Sequence, residues 1–334
     1  MSALLLILVT SLLAGLLTGL VRRYALAHAV IDTPSARSSH RIPTPRGGGL
    51  AIVLAFFAAL GVLWLNGQLA SSLALALLGS GGLVALIGFI DDHRPLPARW
   101  RLLVHFVAAG WTLLCLREQV PWPTTTALAI LVVTGLLLYL VWLLNLYNFM
   151  DGIDGLAGIE ALCVGTGAAL LHVLAGDTAS MLPPALLAAA ASGFLYWNFP
   201  PARIFMGDVG SAFVGIMLAI LSLQALSIRP ELGWAWLILL GVFIVDASLT
   251  LLRRLLRGEA VQQAHRRHAY QFAARHYRSH RAVSLVVAAI NLGWLLPMAS
   301  LVTLGQLNGM TGLLLAYLPL CLLALRFKAG AAHE

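Results

Sequence analysis

Charge is what this sequence has least of. Only 10% of its 334 residues are Asp, Glu, Lys or Arg and 60% are hydrophobic, against about 25% and about 45–50% in an ordinary soluble domain. No polar stretch is long enough to fold a soluble domain, so a water-soluble globule is excluded. Cysteine is nearly absent too: Cys115, Cys163 and Cys321 all fall within apolar runs and lack metal-ligand spacing. That excludes a disulfide framework and reads the three thiols as small buried hydrophobes. Acid is scarcer than base, 13 Asp and Glu against 21 Lys and Arg, for a formal charge of +8. The basic surplus is dispersed among short loops, so a nucleic-acid-binding surface is the weaker reading and no nucleic acid partner is expected. No internal repeat of solenoid period and no low-complexity segment beyond the short "KAGAAHE" is visible.

What is present is a succession of apolar runs. A hydrocarbon core of about 30 Å needs roughly 20 apolar residues in helical form. Such runs recur at 2–21, 47–65, 70–90, 101–117, 125–145, 156–175, 181–198, 209–228, 233–252, 283–304 and 309–326. Each is expected to be a helix, because lipid leaves an open sheet edge unsatisfied and the alternation of a barrel strand is missing. Arg22 and Arg23 follow the first run instead of preceding it, which argues for a span over a signal peptide. The expected fold is an all-α, polytopic membrane bundle of about eleven helices, forming a single membrane-embedded domain over residues 1–334.

Assigning alternate loops to opposite sides tests that expectation. The loops 22–46, 91–101, 146–155, 199–208 and 253–282 and the tail from Arg326 onward carry 19 of the 21 Lys and Arg, leaving Arg117 and Arg229 on the other face. Positive charge collects on the cytoplasmic side, so those loops are expected in the cytoplasm and the N-terminus outside, in a multi-pass bacterial inner-membrane protein. The opposite loops are short and featureless; the cytoplasmic ones hold "SARSSHRIPTPRGGG", "DDHRPLPARWR", "NLYNFMDGIDG", "NFPPARIFMGDVGS" and "HRRHAYQFAARHYRSH".

Three carboxylate clusters lie on that face. Asp91 and Asp92 end the third run, Asp151 and Asp154 separate the fifth from the sixth, and Asp208 opens the eighth. Acids set among arginines and histidines suit a hard divalent cation held together with a phosphate chain, since magnesium takes one or two carboxylates plus phosphate oxygens. Asn145, Asn148, Asp151 and Asp154 are spaced by threes, so neighbours are expected on one helical face as a polar ledge, the asparagines able both to donate and to accept. Around Asp208, Gly207, Gly210 and Ser211 allow close backbone approach at a helix start, where the dipole would favour a phosphate; Phe205 could stack on a base. His265 and His268, flanking Arg266 and Arg267, could bind a diphosphate or move a proton near neutral pH. Ser39, His40 and Arg46, beside three glycines, could cradle phosphate. His276 and His280 read as surface or anionic-lipid contacts. Asp246, inside the ninth run, is open between a structural partner and a site residue.

"SSHRIPTPRGGG", "DDHRP", "NLYNFMDGIDGL", "NFPPARIFMGDVGS" and "HRRHAYQ", in this order along the chain, resemble the motifs of the polyprenyl-phosphate N-acetylhexosamine-1-phosphate transferases, glycosyltransferase family 4. The resemblance implies an eleven-helix bundle, a Mg2+ cofactor (with Mn2+ as the other candidate), and transfer of a sugar-1-phosphate from a UDP-N-acetylamino sugar to undecaprenyl phosphate with release of UMP. It implies catalytic roles for Asp91, Asp92, Asp151, Asp154, His265 and His268, with Asp208, Asp91 and Asp92 as metal ligands. Substrate contacts are expected from Ser39, His40, Arg46, Asn145, Asn148, Asn198, Arg203, Phe205, Arg266 and Arg267, and a homodimer is implied by resemblance alone. Pro95 stands where many members have a lysine, so Arg99 or Arg101 is expected to substitute. "HRRH" replaces a run of histidines, which favours the O-antigen branch of WecA and WbpL over that of MraY. The rival class is a polytopic transporter with a cytoplasmic anion site, which would place ionisable groups near mid-bilayer and often show repeat symmetry.

Overall fold

The computed structural model describes residues 2–34, 42–119, 125–259 and 266–331. Helix covers every one of the eleven apolar runs. In chain order these are α1 (Ala3–Ala27), α2 (Gly49–Leu65), α3 (Ser71–His93), α4 (Ala98–Cys115), α5 (Thr126–Phe149), α6 (Leu156–Leu174), α7 (Leu182–Asn198), α8 (Asp208–Ile228), α9 (Pro230–Leu239), α10 (Gly241–Leu256), α11 (Ala269–Tyr277), α12 (His280–Ile290), α13 (Leu296–Thr303) and α14 (Gly309–Arg326). The chain is a polytopic helical membrane protein. Among the described residues eight helical segments are long and apolar enough to cross a bilayer, nine if the bent pair α9 and α10 counts as one span. The remaining two of the eleven runs differ for local reasons: α2 has 17 residues, and α4 carries Arg99, Arg101 and His105 in its first turns.

Two runs expected to be single helices are interrupted. The ninth bends by 69° between α9 and α10, and α10 packs against α5, α9, α11 and α14. Between α12 and α13 the chain widens into a π turn, Asn291–Leu295, just before Pro297. Proline has no N–H to offer the preceding turn and crowds its carbonyl, which a π turn relieves.

At the centre stands α8, buried on nearly every face and packed by α2, α3, α5, α7 and α9. An apolar helix without a polar stripe belongs in such a position. Its first residue is Asp208, so the most enclosed helix of the molecule begins with a carboxylate. The only sheet among the described residues is a two-residue antiparallel pairing of β1 (Ile31–Asp32) with β2 (Thr44–Pro45). It delivers Arg46 to the start of α8, where Phe205 N donates to Pro45 O (2.8 Å) and Gly48 N to Phe205 O (2.9 Å).

Candidate active site

Asp92 organises the centre. One of its oxygens accepts from Asp208 N (3.0 Å) and the other from Val209 N (3.1 Å), so the carboxylate closes the first turn of α8, whose N–H groups have no partner within the helix. Its side chain is only 1% exposed and is ion-paired to Arg46, whose Nε lies 2.9 Å away. Burial opposes the charge on Arg46, but the ion pair and hydrogen bond with Asp92 and the attraction of Asp208 and Asp32 together outweigh it, and the guanidinium is held above its ordinary pKa. Gly207 has φ +76°, and a Cβ there would lie 2.5 Å from Asp92 Oδ2; only glycine lets the carboxylate reach the helix. The expected phosphate seat at this helix start is therefore filled by Asp92.

Asp91 and Asp208 converge on one point. Arg101 Nη1, from α4, lies 2.9 Å from Asp91 Oδ2 and 3.0 Å from Asp208 Oδ2. Leu96 N donates to Asp91 Oδ1 (2.6 Å), while Asn148 Nδ2 donates to Asp208 Oδ1 (2.9 Å) and to Ser211 Oγ (2.9 Å). Of Arg99 and Arg101, it is Arg101 whose side chain reaches the Asp91 carboxylate. Asn145 turns elsewhere, to Val141 O (2.7 Å) and His105 Nδ1 (3.3 Å).

Asp151 differs from the other acids. Helix α5 has ended, so it lies in the turn before α6, half-buried, and its carboxylate accepts no hydrogen bond among the described residues. Burial, then repulsion from Asp208 and Asp92, pushes its pKa well above the ordinary carboxylate range. The expected ledge of four residues on one helical face is thus split: Asn145 and Asn148 end α5, and Asp151 and Asp154 sit in the turn. Asp154 faces the far side of that turn, where Oδ2 accepts from Ala202 N (3.0 Å) and Oδ1 meets His280 Nδ1 at 3.2 Å. Asn198 is buried and ties the same two loops together, accepting from Gly155 N (3.0 Å) and donating to Ile204 O (2.9 Å). In this arrangement Asp154 and Asn198 act as braces.

The remaining candidates lie outside the acidic cluster. His268 is buried against Asp246 (Nδ1 to Oδ1, 3.3 Å), and Asp246 caps α11 by accepting from Ala269 N and Tyr270 N, each at 2.9 Å. Asp246 is thereby a structural partner. Arg267 is paired with Glu259 (2.6 Å), Arg266 O accepts from Arg275 Nη1 (3.1 Å), and Arg203 stacks on Tyr196 and Trp197, 4.8 and 4.4 Å from their ring centres. Ser39, His40 and His265 lie outside the described residues.

Two participants were missed or set aside. His280, read as a surface contact, pairs with Asp154 across more than a hundred positions, a distance no local pattern spans. Tyr270 Oη donates to Phe149 O (3.0 Å) beside the Asp151 turn; its place two residues after His268 in "HRRHAYQ" was the available signal.

Four carboxylates, Asp91, Asp92, Asp151 and Asp208, thus meet two guanidinium groups, Arg46 and Arg101, leaving a surplus of acid. Among the described residues no three His, Cys, Asp or Glu side chains are arranged to hold a metal ion. Two carboxylates facing one cationic atom at about 3 Å do fit magnesium, which takes one or two carboxylates and completes its shell with water and phosphate oxygens. Arg101 Nη1 stands where such a cation would be shared.

The family model described as glycosyl transferase family 4 matches residues 73–226, from α3 to near the end of α8. A probable undecaprenyl-phosphate N-acetylglucosaminyl 1-phosphate transferase of Bacillus subtilis is 31% identical over 84% of this chain and 80% of its own length. A decaprenyl-phosphate N-acetylglucosaminephosphotransferase of Mycobacterium tuberculosis is 30% identical over 81% and 75%. A phospho-N-acetylmuramoyl-pentapeptide-transferase of Synechococcus is 35% identical over 51% and 52%.

Proposed function

This chain belongs to the polyprenyl-phosphate N-acetylhexosamine-1-phosphate transferase family, and we propose that it moves an N-acetylhexosamine-1-phosphate from a UDP-sugar to undecaprenyl phosphate, releasing UMP. The observation that carries this is the convergence of Asp91 and Asp208 on one cationic position with the unpartnered Asp151 in the same acidic cluster. Such a centre suits a reaction between two polyanions, where positioning and charge neutralisation supply most of the catalysis. The longer coverage of the two N-acetylglucosamine-1-phosphate transferases favours a hexosamine donor over a muramoyl-pentapeptide one. Initiation of O-antigen or another lipid-linked surface polysaccharide is the role this reading assigns.

A lipid phosphate oxygen attacks the sugar-bearing phosphorus of the donor. The new bond is P–O–P to the lipid, the bond that breaks joins that phosphorus to the bridging oxygen, and UMP leaves with the electron pair. Asp91 and Asp208 would hold Mg2+, which neutralises diphosphate charge when bound. Arg101, released from its bridge, can pair with a phosphate oxygen. Asp151 is the carboxylate left to accept a proton from the lipid phosphate or to orient it. Asp92 and Arg46 keep the start of α8 in place. Eleven crossings, with the cluster on the cytoplasmic face of the inner membrane, fit the distribution of Lys and Arg.

Purified protein in detergent with undecaprenyl phosphate and a panel of UDP-amino sugars tests the reading. UMP and a lipid-linked sugar should form with at least one donor, and EDTA should stop the reaction until Mg2+ is restored. No UMP with any donor, or solute uptake into proteoliposomes instead, would overturn it.

A further inference from the structure

We propose that residues 327–331 form a strap that holds Arg267 and the start of α11 against the site. This rests on the transferase reading for its functional consequence, though not for its geometry.

The strap touches both helices and the chain between them. Arg253 Nη1, from α10, donates to Ala329 O (2.9 Å), and Arg257 Nη2 donates to Gly330 O. Gly330 N donates to Arg267 O (2.7 Å) on the other side of the connection. Ala329 is fully buried, and the Phe327 ring packs on Phe272 and Tyr277 of α11, at 6.5 and 6.1 Å between centres. Gly330 has φ +67°, and a Cβ there would lie 2.8 Å from Thr250 O, so a side chain cannot enter without moving the strap.

Glu259 fastens the same connection from within. It meets Arg254 (3.2 Å), Arg257 (2.9 Å) and Arg267 (2.6 Å), so both ends of the segment between α10 and α11 are joined by one carboxylate. The hydrogen bond from Arg257, with those from Arg267 and Arg254, holds its pKa down to about 2. Mild acid therefore does not undo the tie.

From Arg267 the path to the site is short. His268 begins α11 with a capping box, in which its own N–H donates to the side chain of Gln271. Two residues on, Tyr270 reaches Phe149 O, and a Cβ on Gly152 would lie 2.1 Å from Tyr270 Oη. The α11 start and the Asp151 turn are thus in van der Waals contact. A strap that shifts Arg267 shifts this contact, together with Arg266 and His268, which the sequence places at the donor diphosphate.

The test uses the full chain carrying Gly330→Val, and in parallel Arg253→Gln, which removes the tether to Ala329 without adding bulk or touching the Glu259 cluster. Trypsin cleavage after Arg266 and Arg267 should accelerate about tenfold. Donor kcat/KM should fall about tenfold with the KM for undecaprenyl phosphate unchanged, since small misplacements at a site cost rates of this order or more. Gly330→Ala should lie between wild type and Gly330→Val. Unchanged proteolysis in both variants would overturn the strap, and faster proteolysis with unchanged donor kcat/KM would overturn its link to the site. Absence of UMP release from wild type would remove the transferase reading and leave the proteolysis arm to decide the strap alone.

Discussion

At the scale of single residues the carboxylates of the cluster divide by what they touch. Asp92 has both oxygens on the α8 backbone and an arginine beside it, whereas Asp151 has no donor among the described residues. Asp92→Ala should therefore destabilise the folded protein by about 3 kcal/mol or more, as expected when one partner of a buried ion pair is removed, read as a lower thermal midpoint in detergent. Asp151→Asn should leave that midpoint unchanged or higher at neutral pH while lowering kcat by about 10²-fold or more, the scale of a lost acid–base group. The pH dependence follows from the raised pKa of Asp151. The folded state holds this proton more tightly than the unfolded chain, so the stability it contributes is full below the ordinary carboxylate pKa and is lost as pH rises towards the folded value. Asp151→Asn should thus gain over wild type in thermal midpoint as pH rises from about 4 to neutrality. Activity that needs the ionised form should decline on the acid side at a pH above the ordinary carboxylate range.

At the scale of elements, polar side chains inside the bundle link helices that lipid would not hold together. Glu160 of α6 and Asn291 at the π turn are both buried, and Asn291 Nδ2 donates to Glu160 Oε2 (2.6 Å). Glu160 Oε1 and Asn291 Oδ1 are left without partners. A proton on Glu160 would let these two atoms bond to each other, closing a carboxylic acid–amide pair and satisfying both in a medium that offers no water. Glu160→Gln preserves one donor and one acceptor and should be tolerated, with a thermal midpoint within a few degrees of wild type. Glu160→Leu strands the Asn291 amide and should cost about 1–3 kcal/mol. Equal losses in the two variants would show that the pair does not form. The break between α12 and α13 matters here, because it places Asn291 where its amide can face α6.

For the whole molecule, the parity of charge predicts sidedness. Single cysteines at Arg117 and Arg229, in a background lacking Cys115, Cys163 and Cys321, should react with a membrane-impermeant thiol reagent added to intact cells. Cysteines at Arg94 and Arg257 should react only after the membrane is opened. Labelling of Arg257→Cys from outside would invert the topology and separate the acidic cluster from a cytoplasmic sugar donor. The same architecture explains why the cluster tolerates four acids: three come from the ends of α3 and α8, where Arg46, Arg101 and the first N–H groups of α8 offset their charge, and the fourth from the turn after α5.

Composition and hydropathy determined the class of protein and the position of its eleven apolar helical runs, because lipid permits so few backbone arrangements that length and apolarity suffice. Motif order was equally legible, and with it the family. The tertiary structure alone decided which acid does what. Asp92 and Asp208 are 116 positions apart and Asp154 and His280 126 apart, and such pairings leave no periodic trace in a sequence. Nor could local pattern reveal that Asp246 caps α11, that the ninth run bends at Leu240, or that Ala329 and Gly330 bond Arg253, Arg257 and Arg267. Each of these depends on where helices meet after packing, and a helix end that has found a carboxylate no longer has room for the phosphate its sequence suggested.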